Sequence, residues 1–402
     1  MPHQREGMRT MQAGSVATAV LSEGRYARHS LVGGWDQGAI GRATAVVAGA
    51  GALGNEAIKL LAMMGVGHLV IVDPDTVEET NLSRTVLFRA ADIGLQKAEV
   101  AARRARELNP AVQVRAIVGD VTSDLGLGDL ARATMVLGCL DSALARWLFN
   151  RRCLAAGVEW IDGGTGERHG QVARYGPSGG ACFECTMTQK TFERLEKRYR
   201  CGFRDDDPAA GVPMPSTATL SSTIAAIQVQ EALHVAMGVE APAGLNLGQR
   251  LWVYLRPYQM FVDDLPARHD CLAHPDDLSG AAVAMGAPWA ATTLDDVVRA
   301  AREIDPTADR VDLGYEVVVN TTCPSCGLES GYAGRRDRLA VASMQCPECG
   351  AARRYAATSV IWAGDALASR PLGDLSIPPR EWLSVRGEGD ATTVVEVGAS
   401  AT

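Results

Sequence analysis

The chain contains a glycine-rich turn whose spacing suits the binding of a phosphate group. An apolar run at 45–48 leads directly into three glycines, Gly49, Gly51 and Gly54. A buried strand that ends in glycines and opens a helix brings backbone N–H groups and the positive end of the helix dipole to an anion. Asp73 ends a second apolar run, 22 residues after Gly51, where a nucleotide-binding fold places the carboxylate that contacts ribose hydroxyls. These residues predict a nucleotide site.

Charged and polar residues elsewhere in the chain narrow this prediction to one chemistry. In chain order they are Arg25-Tyr-Ala-Arg28-His29, the turn at 49–54, Asp73-Pro-Asp75, Asn81-Leu-Ser-Arg84, Lys97 and Gly138-Cys-Leu-Asp141. This ordered set resembles the ThiF/MoeB/HesA family of ATP-dependent activating enzymes, which are relatives of ubiquitin-activating enzymes, over about residues 25–275. The departures from the family pattern remove no charge that the chemistry needs, and they lie at His29, Ala52, Thr85 and Ser142.

The resemblance implies a reaction between two anions. The C-terminal carboxylate of a ubiquitin-like or sulfur-carrier protein attacks the α-phosphate of ATP, an acyl-adenylate forms and pyrophosphate leaves. Such a site needs cations and a metal ion directed at the phosphates. The implied ATP ligands are Gly49, Gly51, Ala52, Gly54, Asp73, Asp75, Asn81, Arg84, Lys97, Asp141 and Ser142. The implied catalytic residues include Arg84, Lys97, Asp141 as the Mg²⁺ ligand, and Arg28 as an arginine finger supplied across a homodimer.

Cys201 is the candidate nucleophile. It lies in a charged segment at 188–215, close in sequence to Arg198, Arg200 and Arg204, and neighbouring cations lower the pKa of a thiol. The resemblance implies that this cysteine takes the activated carrier as a thioester or acyl disulfide before a conjugating or sulfur-transfer protein receives it. The alternative is a bystander cysteine in an enzyme that adenylates a carrier or peptide without a covalent step.

Two sets of metal ligands are spaced for tetrahedral zinc. The resemblance implies a structural zinc built from two separated pairs, here Cys182, Cys185, Cys271 and His274, with a surface histidine at 274 as the alternative. The second set has the spacing of a zinc ribbon, with a glycine after each pair, and consists of Cys323, Cys326, Cys346 and Cys349. Cys139 and Cys153 lie in apolar surroundings and are expected in the core.

Alternating strand and helix patterns must position these residues. The predicted strands are Thr44–Ala48, Leu69–Val72, Val112–Val118, Met135–Cys139 and Val158–Asp162, with helical patterns such as Lys97–Leu108 between them. This alternation predicts an α/β fold, a Rossmann-like and mostly parallel sheet with helices on both faces. A helix is expected from Ser216 to Met237, and late strands of the same domain at 251–262.

The domain prediction divides the chain into four parts. A disordered leader at 1–24 precedes an adenylyltransferase domain at 25–275, which includes a mobile crossover at 188–215 with little core of its own. A linker at 276–292 leads to a small separate zinc-ribbon module at 293–402. In that module a capping box begins a helix at Thr293, and a hairpin is expected from Trp382–Val385 and Thr392–Val397.

Composition and charge exclude some other classes of protein. A net charge of −8 argues against a dedicated nucleic-acid binder, and no apolar run approaches the roughly 18 residues of a membrane span. Cys-x-x-Cys pairs without an export signal favour metal binding in a reducing cytoplasm. An NAD-dependent oxidoreductase would use the same glycine turn but has no evident use for Arg84 and Lys97. A non-catalytic adaptor with a degenerate nucleotide fold is the other alternative, and the intact set of charged residues described above argues against it.

Overall fold

The computed structural model describes residues 24–177, 180–201, 216–239, 244–268, 270–274, 282–389 and 392–398. The predicted leader at 1–23, the second half of the predicted crossover with Arg204, and residues 276–281 of the predicted linker lie outside the described residues. The same holds for the side chains of Arg198, Arg200 and Cys201.

The first sheet has eight strands in the order β3-β2-β1-β4-β5-β6-β7-β8. The strands from β3 to β5 pair in parallel and the last three are antiparallel. Their bounds are β1 Thr44–Ala48, β2 His68–Asp73, β3 Gln113–Val118, β4 Met135–Gly138, β5 Trp160–Thr165, β6 His169–Tyr175, β7 Gln249–Leu255 and β8 Tyr258–Asp264. All five strands predicted before residue 163 are present with small shifts at their ends, so the mostly parallel α/β fold is confirmed.

Helices cover both faces of this sheet. The helices of the described residues are α1 Gln37–Arg42, α2 Ala52–Met64, α3 Lys97–Leu108, α4 Leu127–Ala131, α5 Ala143–Ala155, α6 Gln189–Cys201, α7 Ala218–Met237 and α8 Leu294–Ala301. The apolar faces of α2, α3 and α7 share one core with the sheet, and α5 packs in a second core on the other face around Phe149 and Trp160. Burial of Cys139 and Cys153 in these two cores confirms the prediction for both. Within the described ranges, none of the helices combines the length and the apolar composition that a bilayer crossing requires.

The charged segment after residue 188 begins as a packed helix. In α6, Leu195 is buried, while Phe192 and Tyr199 pack edge-on against Trp147 with ring centroids 5.8 and 6.1 Å apart. The expectation of little core was therefore wrong for residues 189–201. The charged side chains lie on the exposed side of an amphipathic helix, and their density in the sequence masks its apolar stripe.

A second sheet follows, and it begins inside the predicted linker. Its order is β11-β10-β14-β15-β9, and two further strands pair with β10. The bounds are β9 Val283–Ala284, β10 Arg310–Thr322, β11 Glu329–Ser330, β12 Gly334–Arg335, β13 Arg354–Trp362, β14 Trp382–Arg386 and β15 Thr392–Glu396. The hairpin of β14 and β15 and the capping box at Thr293 are both present as predicted. Because β9 pairs with β15, residues 283–284 belong to the second sheet rather than to a linker.

The two sheets are joined by ion pairs. Arg152 in α5 lies 2.6 Å from the buried Glu381, and Arg132 lies 2.7 Å from the buried Glu396. Breaking a buried pair leaves an uncompensated charge, so these contacts oppose separation of the two sheets. The second sheet is docked onto the first and is not a loosely attached module.

Candidate functional site

The glycine turn lies between β1 and α2, and two of its glycines are required by the fold itself. Gly49 has φ of +97°, and a Cβ there would lie 2.5 Å from the carbonyl oxygen of Cys139. A Cβ on Gly54 would lie 1.9 Å from the carbonyl oxygen of Gly49. Both positions exclude any side chain, so this pair of glycines sets the tight passage from strand to helix.

Gly51 differs because no neighbour among the described residues requires a glycine there. Its φ of −70° suits any residue, and a Cβ placed there would meet no atom within 4 Å. The open space lies over the N-terminus of α2, which begins at Ala52. Free space beside a helix N-terminus fits the close approach of a phosphate to the backbone. The predicted turn therefore fits a nucleotide, with Gly51 as its point of approach.

The buried carboxylate of Asp73 stabilises the glycine turn through hydrogen bonds to the backbone. One carboxylate oxygen accepts a hydrogen bond from the Ala50 N–H at 2.7 Å, and the other accepts one from the Asp75 N–H at 2.9 Å. Burial raises the pKa of this carboxyl above its usual value, and the two backbone hydrogen bonds oppose that rise. Each oxygen of Asp73 thus accepts one hydrogen bond from the backbone, and a carboxylate oxygen has a second lone pair that a ligand hydroxyl can use.

Asp75 and Lys97 form the accessible ion pair beside the turn. The Asp75 side chain is 59% exposed, and its Oδ2 lies 2.8 Å from Nζ of Lys97. The backbone N–H of Lys97 also donates to the carbonyl oxygen of Asp75 at 2.9 Å, which fastens the start of α3 to the end of β2. A carboxylate and an ammonium thus reach the open side of the site together.

The segment with Asn81 and Arg84 is tied to the turn by a residue that sequence analysis missed. Buried Asn55 donates from Nδ2 to the Ala50 carbonyl at 2.6 Å and accepts the Leu87 N–H at 3.0 Å. Asn81 is itself buried, and its Oδ1 accepts the N–H of Glu78 at 2.9 Å. The guanidinium of Arg84 donates to the Thr80 carbonyl at 2.6 Å and is partly exposed. The available signal was a polar residue directly after Gly54 in an otherwise apolar helix start.

Asp141 stands at the same edge of the sheet. Strands β1 and β4 are neighbours, with Ala48 opposite Gly138, and the Cys139 N–H donates to the Ala48 carbonyl at 2.8 Å. Asp141 is exposed in the loop after β4, and Ser142 ends that loop by capping α5. The loop therefore lies beside the glycine turn.

Two buried polar residues and a partly buried arginine beneath this loop were also missed. The Arg146 Nε lies 2.9 Å from a carboxylate oxygen of Asp162, which is fully buried in β5. Burial raises the pKa of Asp162, and the guanidinium opposes that rise. Buried Gln228 of α7 donates to the carbonyl oxygens of Gly138 at 2.9 Å and Ile161 at 2.8 Å. These contacts hold together the ends of β4 and β5, from which the Asp141 loop departs.

Arg28 lies at the opposite end of the fold from the glycine turn. The hydroxyl of its neighbour Tyr26 accepts a hydrogen bond from Asn109 at 2.7 Å, and a Cβ on Gly65, just past α2, would lie 2.1 Å from that hydroxyl. A helix of 13 residues such as α2 spans roughly 20 Å. The structure thus does not bring Arg28 to the turn of its own chain.

The first metal set forms a compact cluster. The Sγ atom of Cys182 lies 3.7 Å from the Sγ atoms of both Cys185 and Cys271. The Sγ atom of Cys185 lies 3.3 Å from Nε2 of His274. Tetrahedral zinc with Zn–S bonds of about 2.3 Å separates its sulfur ligands by roughly 3.8 Å. These four residues fit zinc, and His274 belongs to the cluster.

The second metal set forms a cluster of the same kind. The Sγ atoms of Cys323 and Cys349 are 3.5 Å apart, and those of Cys326 and Cys346 are 3.6 Å apart. Gly327 and Gly350, which follow the two pairs, have φ of +76° and +73° as a zinc knuckle requires. Four thiols at this separation fit zinc as well.

Among the remaining cysteines, only Cys201 stays a candidate nucleophile. Burial raises the pKa of Cys139 to about 12 and that of Cys153 well above its usual value, so neither supplies a thiolate. Cys201 is the last residue of α6, and its side chain lies outside the described residues.

Comparison with known proteins adds a family and a fold. The profile of the ThiF family matches residues 24–272. Relatives include the SAMP-activating enzyme E1 of Haloferax volcanii, 37% identical over 168 residues that make up 41% of this chain and 62% of that protein. The sulfur carrier protein adenylyltransferase of Thermus thermophilus is 32% identical over 230 residues, 56% of this chain and 81% of that protein. The sulfur carrier protein ThiS adenylyltransferase of Escherichia coli is 31% identical over 200 residues, 50% of this chain and 74% of that protein.

The matches do not extend over the whole of every relative. This chain spans 62% of the length of the Haloferax protein and 41% of a Yarrowia lipolytica adenylyltransferase and sulfurtransferase, UBA4. Among solved structures, Escherichia coli MccB with ATP matches with a TM-score of 0.51 and 22% identity, over 63% of this chain and 75% of that one. That likeness concerns the fold, and the family match ends before the second sheet.

Proposed function

The chain belongs to the ThiF family, and from that premise we propose that it uses ATP to adenylate the C-terminal carboxylate of a ubiquitin-like or sulfur-carrier protein. The observation that carries the proposal is a shared edge of the first sheet. The open glycine turn, the pair of exposed Asp75 with mostly buried Lys97, and the Asp141 loop all lie at the carboxyl ends of β1, β2 and β4. An open α/β sheet binds its ligands at this edge.

In the proposed first step the chain holds the triphosphate and neutralises its charge. The N-terminus of α2 contacts a phosphate at Gly51, and Asp73 and Asp75 accept hydrogen bonds from the ribose, because each oxygen of Asp73 accepts only one backbone hydrogen bond and keeps a second lone pair. Lys97 and Arg84 offset the charge that accumulates as the carboxylate oxygen bonds to the α-phosphorus and the bond to pyrophosphate breaks. Mg²⁺ held by Asp141 would supply further charge neutralisation at the phosphates.

In the proposed second step Cys201 receives the carrier. The thiolate attacks the acyl carbon of the adenylate, a thioester forms and AMP leaves with the electron pair of the broken bond. Neutral buried thiols at Cys139 and Cys153 leave Cys201 as the nucleophile of the proposal. The product then passes to a conjugating or sulfur-transfer protein.

The position of Arg28 supports action across a homodimer. An arginine side chain cannot extend along the roughly 20 Å of α2 to reach the turn of its own chain. We therefore assign Arg28 to the phosphates bound by a second copy, with each copy completing the site of the other.

The remaining assignments follow from the two clusters and their positions. We assign adenylation to residues 25–275, and one structural zinc to each cluster, the second within a zinc-ribbon module that includes the second sheet from β9 onward. Free thiols at zinc sites fit a reducing compartment, so we place the reaction in the cytoplasm.

The test is carrier-dependent exchange of pyrophosphate into ATP, using small proteins that end in Gly-Gly from the same source. Exchange that requires Mg²⁺ and disappears in Lys97→Ala, but not in the exposed-surface variant Lys190→Ala, supports the proposal. A thiol-sensitive adduct that is lost in Cys201→Ala supports the second step. Exchange without an adduct restricts the function to adenylation, and NAD binding without exchange refutes the proposal.

A further inference from the structure

The last turn of α6 lies against the second sheet. The helix contacts the short 3₁₀ helix at Arg336–Arg338. A cleft of about 510 Å³ opens at this contact, and we name it the junction cleft. Its lining residues are Tyr199, Asp312, Gly314, Tyr315, Glu316, Arg336, Asp337 and Ser359. One residue of α6 thus shares a cleft with the second sheet, two positions before Cys201.

The wall of the cleft in the second sheet is firmly held. Buried Arg335 in β12 stacks over the ring of Tyr315, with its guanidinium carbon 3.8 Å from the ring centroid. It also binds Asp337 through two hydrogen bonds, of 2.7 and 2.9 Å. A bidentate arginine–carboxylate pair fixes orientation as well as distance. The segment that faces α6 therefore has a defined geometry before any contact with the helix.

The same segment is fastened to the first sheet at its other end. The Arg338 guanidinium lies 2.6 Å from Oδ2 of Asp124, in the loop that follows β3. Residues 334–338 are therefore held by β10 on one side and by the first sheet on the other. Because residues 334–338 are anchored at both ends, they can serve as a fixed support for the end of α6.

On the helix side, Tyr199 is held between two surfaces. Its ring packs edge-on against Trp147 of α5, and burial together with the charge of Asp337 raises the pKa of its phenol. The guanidinium of Arg335 opposes this rise in the pKa of the Tyr199 phenol. Among the described residues, Leu195 and Phe192 pack with Trp147 on the first-sheet side, whereas Tyr199 near the end of α6 shares the junction cleft with the second sheet.

We propose that the second sheet holds the end of α6 through the contact of Tyr199 with the Arg335–Asp337 segment, and so sets where the chain enters the region of Cys201. The second sheet is then a positioning element for the covalent step. The consequence for Cys201 rests on the proposed function, whereas the contact that fixes the helix does not.

The contact is tested by hydrogen exchange of the full-length chain, followed by mass spectrometry. In Arg335→Ala we expect the amides of 195–201 to exchange faster, by roughly threefold to tenfold, because a local contact governs local opening. The amides of α5 and of β10 should keep their wild-type rates. The matched control is Arg370→Ala, since Arg370 also stacks on a tyrosine of the second sheet, Tyr332 at 5.0 Å, but is not among the described residues that line the cleft.

A second pair of variants approaches the contact from the helix. Tyr199→Ala should loosen 195–201, whereas Phe192→Ala removes a ring from the same Trp147 cluster and should loosen only the start of α6. If Arg335→Ala also speeds amide exchange in β10, its effect on α6 is no longer specific, and the two helix variants then test the contact. Wild-type protection of 195–201 in both Arg335→Ala and Tyr199→Ala overturns the proposal. The proposal is also overturned if Tyr199→Ala and Phe192→Ala speed the exchange of amides 195–201 equally. That result would show that packing on Trp147 of α5, and not the second sheet, holds the end of α6.

The consequence for catalysis has its own readout. In Arg335→Ala we expect unchanged carrier-dependent pyrophosphate exchange but slower formation of the Cys201 adduct, by roughly tenfold. An unchanged rate of adduct formation with a loosened α6 overturns the positioning role. A wild-type chain that shows neither exchange nor adduct overturns the proposed function instead, while the exchange of backbone amides still reports on the contact.

Discussion

The two cysteine clusters have similar ligand atoms but different degrees of burial. Cys182, Cys185 and Cys271 are buried in the second core of the first sheet, among apolar side chains that include Phe149 and Trp160. In the other cluster Cys323 and Cys346 are buried, whereas Cys326 and Cys349 are exposed at knuckles of the second sheet. The first cluster joins segments 86 residues apart within a core, and the second closes a local loop. Burial, rather than ligand type, should therefore decide what each metal site contributes to the whole protein.

The largest effect should come from the buried cluster. The free energy of zinc binding at a structural site is on the order of 10 kcal/mol, comparable to the whole stability of a domain. Cys182→Ala should therefore lose one zinc per chain and fail to accumulate as folded protein, as measured by metal content and thermal unfolding.

The matched control for this prediction is Cys153→Ala. Cys153 is a fully buried cysteine of the same core but belongs to no cluster, so its loss should cost only packing, about 1 kcal/mol. A Cys182→Ala chain that keeps two zinc ions and the wild-type unfolding midpoint contradicts the structural role of the buried site.

The next largest effect should come from the contacts that join the two regions. Arg152→Ala leaves buried Glu381 without its guanidinium, which should lower the free energy of unfolding by about 3 kcal/mol and separate the unfolding of the two sheets. Denaturant titration followed region by region with hydrogen exchange measures both changes.

Arg132→Ala gives the comparison for that variant. Arg132 is half exposed, and its partner Glu396 also accepts the indole N–H of Trp382 at 3.3 Å, so the loss should be smaller, about 1 kcal/mol. Equal losses in the two variants would show that burial of the pair does not set the strength of this junction.

A more local effect is expected at the exposed cluster. Cys326→Ala should release one zinc and expose the amides of the two knuckles, while the unfolding midpoint of the first sheet moves little. Timed chelation of the wild-type chain should give a fast and a slow release of zinc, and the variant should lack the fast phase. A wild-type chain that releases both ions at one rate would remove the distinction between the clusters.

Patterns local in sequence predicted most of the fold and both clusters. Apolar runs that alternate with helical patterns indicated β1 to β5, and the ligand spacing indicated the cysteine sets, because both depend on residues close together in the chain. The Cys-x-x-His spacing of the second pair added His274 to the first cluster, where the family resemblance implied two separated pairs. Each of these features is present in the structure.

What sequence analysis missed depends on which elements meet in space. Asn55, Asp162 and Gln228 are single polar residues in apolar elements, and their roles emerge only once the strand ends that they connect are known. The buried stripe of α6 was hidden by its charged face, and the pairing of β9 with β15 joins residues more than a hundred positions apart. The burial of Asp73 beneath the glycine turn likewise cannot be read from the sequence.

The smallest expected effect concerns the second sheet alone. Asp296 caps α8, since its carboxylate accepts from the Thr293 hydroxyl at 2.8 Å and from the Thr293 N–H at 3.0 Å, and these bonds lower its pKa below the usual 3.8. A carboxyl with a lowered pKa stabilises the folded state above its usual pKa, and this contribution is lost as the pH falls through the folded-state value. Asp296→Asn should therefore weaken α8 at about pH 6, and the difference from wild type should shrink at a second, acidic pH, as the pH falls through the lowered pKa of the wild-type carboxyl.

Exchange of the α8 amides, compared between the two proteins at each pH, measures this difference without interference from zinc release, because both proteins carry the same clusters. The first sheet should show no change at either pH, since Asp296 has no partner in it among the described residues. A difference between the two proteins that persists at low pH would show that the cap acts through shape rather than charge. A difference that spreads into α2 or α5 would show that the two sheets unfold as one unit, and the contrast between their clusters would then carry no energetic meaning.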